Sequence, residues 1–210
     1  MIIFDNKDRQ KFKASTSVKA NIPYICNCYK KMRFRKLSLE ELNRLSIKAF
    51  NELPKVPVIL VLDNIRSGHN IGSAFRTADA FALEEVVLCG ISSTPPSAEI
   101  HKSALGAEES VSWSYRGNSL EAVRELKERG YRIVSVEQTL NSTKLQNISP
   151  DKENKFALVF GNEIKGVDQG ILDISDEVFE IPQFGTKHSL NVSVSIGIVV
   201  WETVSRLRKI

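Results

Sequence analysis

From residue 58 onward, short apolar runs alternate with stretches of helical spacing, and that alternation leaves few folds open. Residues 58–62, 86–89, 111–115, 132–136, 156–160 and 177–181 read as strands. Between them, 70–83, 101–108, 120–129 and 168–174 read as helices, the third stopped by Gly130. Residues 140–150 read as a polar, turn-rich loop. Continuously apolar strands need cover on both faces, and strand–helix–strand order makes neighbouring strands parallel. The expected fold is therefore α/β, a mostly parallel sheet with helices on both faces. A last helix, expected over 190–204, is apolar almost all round, which predicts burial on several sides.

The first part of the chain differs in character. Ser38-Leu39-Glu40-Glu41 has the capping-box pattern, and Leu39, Leu42, Leu45 and Ala49 follow near helical spacing until Pro54 and Pro57. This predicts a short helical lead-in over 37–56 and a main domain over 57–210. The net charge of +4 is concentrated ahead of both: residues 1–36 hold ten Lys/Arg and two acids, and the remainder is net negative. Such a basic arm either tracks phosphates or is a solvated tail. Met32-Arg33-Phe34-Arg35-Lys36 also reads as a natural start, which would leave residues 1–31 poorly ordered.

Several function classes drop out. No apolar run reaches the ~18 residues of a membrane span, and the charges after Phe4 are wrong for a secretory signal. Cys26, Cys28 and Cys89 are an odd count without a zinc pattern, so reduced thiols in a cytosolic protein are expected. His69, His101 and His188 have no carboxylate at ligand spacing, so no metal is expected. Trp113, Trp201 and the phenylalanines read as core or subunit interface.

Three polar stretches each follow a strand. In an open α/β sheet, ligands gather at the carboxyl ends of strands. The first is Asp63-Asn64-Ile65-Arg66-Ser67-Gly68-His69-Asn70-Ile71-Gly72-Ser73-Ala74-Phe75-Arg76-Thr77. Gly72 permits close approach of another backbone. Asn70 and Arg76 do not share one helical stripe at ~3.6 residues per turn, and Arg76 alone reads equally as half of a surface ion pair. The second is Val159-Phe160-Gly161-Asn162-Glu163-Ile164-Lys165-Gly166. Val167-Asp168 stands where a Walker loop needs Lys-Ser/Thr, and no G-x-G-x-x-G occurs, so phosphate-loop and dinucleotide sites are unsupported. Glu163 alone reads equally as a capping carboxylate. The third is Ile181-Pro182-Gln183-Phe184-Gly185-Thr186-Lys187-His188-Ser189-Leu190-Asn191 before the last helix, where Ser189 is either a cap or part of a site.

Taken in order, N-x-G-x-x-x-R-T, V-F-G-N-E-x-x-G and I-P-x-x-G-x-x-x-S-L-N-V-S-V resemble the SpoU (TrmH-like) RNA ribose 2′-O-methyltransferases of the SPOUT superfamily, over roughly residues 57–206. The resemblance implies a C-terminal trefoil knot, a feature so rare that spacing alone would not suggest it. It implies a homodimer with the site between subunits, S-adenosylmethionine as methyl donor, and tRNA or rRNA as substrate. It places Leu158, Gly161, Gly166, Ile181 and Leu190 around the donor, and makes Asn70, Arg76, Glu163, Ser189 and Asn191 the polar active-site set. Arg76 is the residue it assigns to the ribose hydroxyl. A guanidinium stays charged, so stabilising an alkoxide suits it better than accepting a proton. The other reading, a non-catalytic RNA-binding or assembly factor on the same scaffold, has no need of the whole polar set. The basic arm stands where many relatives carry an RNA-binding domain, which leaves the identity of the RNA open.

Overall fold

A computed structural model describes residues 34–38, 40–149 and 155–209. Met32 and nearly all of the basic arm lie outside the described residues. The chain divides into two units, with the boundary between Arg44 and Leu45. In the first, the capping-box bonds form: the Ser38 N–H donates to Glu41 (2.8 Å) and the Glu41 N–H to Ser38 Oγ (3.3 Å). They close a turn rather than the expected helix, because Asn43 adopts a left-handed conformation (φ 45°). The lead-in helix, α1 (Ile47–Glu52), belongs to the second unit and takes its cap from Ser46.

The sheet has seven strands, all parallel: β1 (Val56–Asp63), β2 (Leu83–Cys89), β3 (Trp113–Arg116), β4 (Arg132–Val136), β5 (Thr143–Lys144), β6 (Phe156–Phe160) and β7 (Glu177–Glu180). Their order is β3-β2-β1-β6-β4-β7-β5. Alternate residues of β1 serve opposite faces. Leu60 and Leu62 pack with Phe75 and Ile196, whereas Ile59 and Val61 pack with Val123 and Ile171. The first face is covered by α2 (Gly68–Ala80), α3 (Ala98–Ala104) and α4 (Ala107–Ser110). The second is covered by α5 (Ser119–Glu128) and α6 (Gln169–Ile174). The final helix, α7 (Val192–Arg208), returns to the first face beside α2.

Several local expectations need correction. The single helix over 101–108 is two, broken where Leu105 (φ 55°) and Gly106 (φ 91°) are both left-handed. The loop over 140–150 contains β5 and a 3-10 turn (Leu145–Asn147). Buried Leu145 and Ile148 anchor it, and the Arg206 guanidinium of α7 donates to the Ile148 carbonyl at 2.8 Å. A two-residue strand has too little periodicity to be seen in sequence. The strand expected to run to Ile181 ends at Glu180, and the helix expected from Leu190 starts at Val192. Nor is α7 buried all round: Val194, Ile198 and Trp201 are exposed, with Trp201 stacked at a tilt on Phe81 (ring centroids 6.0 Å apart). Trp113 is likewise not core.

On the second face, the Tyr131 hydroxyl donates to Glu84 at 2.5 Å. Burial, then this carboxylate, pushes the phenol up to about 12. An unfolded phenol titrates near ~10. The unfolded state therefore loses its proton first as pH rises, so this stabilising contribution is whole below pH ~10 and is lost between there and pH ~12. The urea midpoint should fall between about pH 10 and pH 12, and fall less in Tyr131→Phe.

Candidate active site

The carboxyl ends of β1, β6 and β7 open onto one edge of the sheet, where α2, the loop 161–166 and the loop 181–191 begin. α2 starts at a Ser67 cap, whose side chain accepts the Asn70 N–H at 3.3 Å. It sits tightly on α3, since a Cβ at Gly72 would lie 2.3 Å from the Ile100 carbonyl oxygen. Asn70 is thereby fixed in the first turn of a well-packed helix.

After β6 the chain pinches shut. Asn162 and Gly166 exchange backbone bonds of 3.1 and 2.8 Å. Inside the loop, Asn162 Oδ1 accepts the N–H groups of Ile164 (2.9 Å) and Lys165 (3.3 Å), while its Nδ2 donates to the Asn64 carbonyl at 2.8 Å. Gly161 lies where no side chain fits: a Cβ there would be 2.1 Å from the Gly166 carbonyl carbon and 2.1 Å from the Val167 nitrogen. Gly166 has φ +70°. The result holds Glu163 at the loop's tip.

Three of the expected polar residues meet here. Asn70 Nδ2 donates to Glu163 Oε1 at 2.9 Å, across 93 residues of sequence. Asn191 Nδ2 donates to Asn70 Oδ1 at 3.3 Å, across 121. Asn191 is also the cap of α7, accepting the Ser193 N–H at 2.8 Å, so Ser189 is not the cap. Glu163 is not a helix cap either; Asp168 caps α6. Ser189 is exposed on the lip of the site. Arg76, six residues further along α2 than Asn70, is bonded to none of the three. It is exposed on α2 and makes no hydrogen bond or ion pair with any described residue of its own chain.

Beside the junction lies a cavity of about 660 Å³, with Gly161, Glu163, Gly166, Ile181, Ser189 and Leu190 among its walls. Leu158 does not reach it, being fully buried in β6 between Leu60 and Val134. Sequence motifs missed Glu137 and Gln138, which also line the cavity. Their one signal was position, directly after an apolar strand at the sheet's carboxyl edge. A second cavity, about 450 Å³, lies across the loop, bordered by Asn64, Arg66 and Lys165.

The remaining candidates stay outside this chemistry. Burial, then Asp63, pushes the Cys89 thiol up to about 12, so it is an inert core group. His101 pairs with Glu108 at 2.6 Å, and His188 accepts through its backbone carbonyl. Among the described residues, no three His, Cys, Asp or Glu side chains lie close enough to hold a metal ion. Nor is any helix there long and apolar enough to cross a membrane.

A parallel α/β domain with a glycine-walled cavity and an Asn/Glu/Asn junction at its carboxyl edge is a narrow class. Residues 57–201 match the SpoU rRNA Methylase family, and the chain belongs to that family, the SpoU/TrmH RNA methyltransferases. Among its relatives is the 23S rRNA (guanosine-2′-O-)-methyltransferase RlmB of Neisseria meningitidis, 37% identical over 151 residues. That match takes in 72% of this chain and 59% of the relative, so the chain spans less than two thirds of the curated protein it matches. A TrmH/SpoU tRNA modifying enzyme of A. aeolicus superposes with a TM-score of 0.68 at 27% identity, over 78% of this chain and 83% of that one. An rRNA methyltransferase of Sinorhizobium meliloti, solved bound to AdoMet, superposes with a TM-score of 0.66 at 25% identity, over 75% and 59%.

Proposed function

We propose that this protein transfers a methyl group from S-adenosylmethionine to a ribose 2′-hydroxyl of tRNA or rRNA. The observation that carries the reading is the Glu163–Asn70–Asn191 junction on the lip of the cavity. Three separated segments supply one polar side chain each to a single point, which a packing role alone does not require.

The residues present fit the donor. A cavity of about 660 Å³ is in the range of cofactor sites. Its walls combine backbone at Gly161 and Gly166 with apolar Ile181 and Leu190, which suits a flat heterocycle held by main-chain groups. These residues would hold S-adenosylmethionine, which when bound supplies an electrophilic methyl group.

The protein's part is to place a hydroxyl and manage its proton. Ser189 and Asn191 orient the ribose. Glu163 accepts from Asn70 and so leaves the Asn70 amide in a fixed orientation; it does not hold Arg76. Arg76 remains protonated, stabilises the oxygen as its proton departs, and grips a neighbouring phosphate that accepts that proton.

Because Arg76 is bonded to none of the junction residues in its own chain, the working unit is a homodimer in which a second copy supplies it. The exposed Val194, Ile198 and Trp201 on α7 offer an apolar face for that copy. The threading of α7 through a preceding loop, as a trefoil knot, belongs to the same reading. It is supported by β7 lying between β4 and β5 while α7 returns beside α2.

Mapping 2′-O-methyl groups in total RNA from cells with and without the protein tests the reading. One or more sites should vanish on deletion, which would also name the RNA. An unchanged map, with S-adenosylmethionine still bound by the pure protein, would favour the non-catalytic factor instead.

A further inference from the structure

Glu137 and Gln138 follow β4 and belong to none of the three motifs, yet they touch both loop walls of the cavity. Glu137 Oε2 accepts the Val167 N–H at 3.1 Å, and its Oε1 accepts the Gln138 N–H at 2.8 Å. The same carboxylate oxygen sits 2.2 Å from where a Cβ on Gly166 would be, so it fills the space that the glycine leaves. Gln138 Nε2 reaches the other way and donates to the His188 carbonyl at 2.7 Å. One wall is the loop 161–166, which presents Glu163. The other is the loop that presents Ser189 and Asn191.

We infer that Glu137-Gln138 is a clasp: two positioning residues that fix the spacing of the two cavity walls and thereby set the affinity for the methyl donor. The inference rests on the proposed function. The physical ground is that β4 is central, between β6 and β7, and so is a rigid post. Among the described residues, the other hydrogen bonds that link the loops beyond β6 and β7 run through Asn70. Without the clasp each loop keeps its internal bonds but loses its fixed distance to the other, and ordering both must then be done by the ligand on binding. The cost falls on donor binding rather than on the chemical step, because the Glu163–Asn70–Asn191 bonds do not involve the clasp.

The test is titration calorimetry of the full chain with S-adenosylmethionine, alongside steady-state kinetics on total RNA. Gln138→Ala should weaken donor binding about tenfold, which is the effect of one lost hydrogen bond. KM for the donor should rise in parallel while kcat falls less than about twofold. Glu137→Ala should weaken binding further. Glu137→Gln should recover part of the loss, since its amide oxygen can still accept the Val167 N–H. Should Glu137→Ala fail to fold, the Gln138→Ala and Glu137→Gln pair carries the comparison. Donor affinity unchanged in both variants, or a loss confined to kcat, overturns the clasp while leaving the methyltransferase reading intact. Wild-type protein that binds no donor overturns both.

Discussion

Arg76→Ala should lower turnover about a thousandfold and leave donor affinity within about twofold of wild type, the signature expected of a group that acts only on the transition state. The cavity residues do not include Arg76, so the donor does not sense its loss. On the proposed assignment the hydroxyl oxygen would, because a fixed positive charge at a developing anion is worth most where water is excluded. Arg76→Lys retains the charge and loses the planar fork, so it falls between, about ten- to a hundredfold below wild type. Co-expressing Arg76→Ala with Asn191→Ala chains separates the dimer from the monomer. If each site takes Arg76 from one copy and Asn191 from the other, half of the dimers are mixed and each contains one intact site, so about a quarter of the activity returns. A monomeric site recovers nothing. Normal methylation by Arg76→Ala would remove the assignment altogether.

Gly161→Ala is expected to abolish measurable donor binding, a loss of more than about a hundredfold, and to lower the melting temperature by several degrees. The added methyl would meet main chain: the Gly166 carbonyl carbon and Val167 nitrogen, each 2.1 Å away. No rotamer relieves such a contact, so the loop must open. Opening costs the paired bonds between Asn162 and Gly166 and carries Glu163 away from Asn70. Overpacking of this kind costs about 1–3 kcal/mol, which at about 2–4 °C per kcal/mol for a domain of this size is ~2–12 °C. Gly185→Ala is the control: it sits on an exposed loop, and a Cβ there meets nothing within 4 Å. Donor calorimetry and thermal melts of the two variants decide the matter, and equal donor affinity in both would remove the proposed role of the pinched loop.

Much of the site was legible as a set of residues and little of it as a set of contacts. Asn70, Glu163 and Asn191 were visible because each follows a strand in a polar stretch. That Glu163 holds Asn70 rather than Arg76, and that Asn191 rather than Ser189 caps α7, was not visible. The resemblance placed Leu158 at the donor, but the adjacent β1 and β4 bury it wholly in the core. Glu137 and Gln138 went unseen because two polar residues after a strand look the same whether they face solvent or brace a cavity.

What the chain alone determined is everything set by neighbours a few residues apart. Apolar runs at 58–62, 132–136 and 156–160 are strands because both faces need burial, and 120–129 is a helix because its apolar positions recur at helical spacing. Where the capping box at Ser38 predicted a helix start, the folded chain formed only a turn, and the helix began instead after Ser46. The tertiary structure alone decided the order of the seven strands, the width of the cavity and the bonds of the junction. Such bonds span 93 and 121 residues, and their geometry depends on how the whole chain closes, a quantity no local pattern encodes.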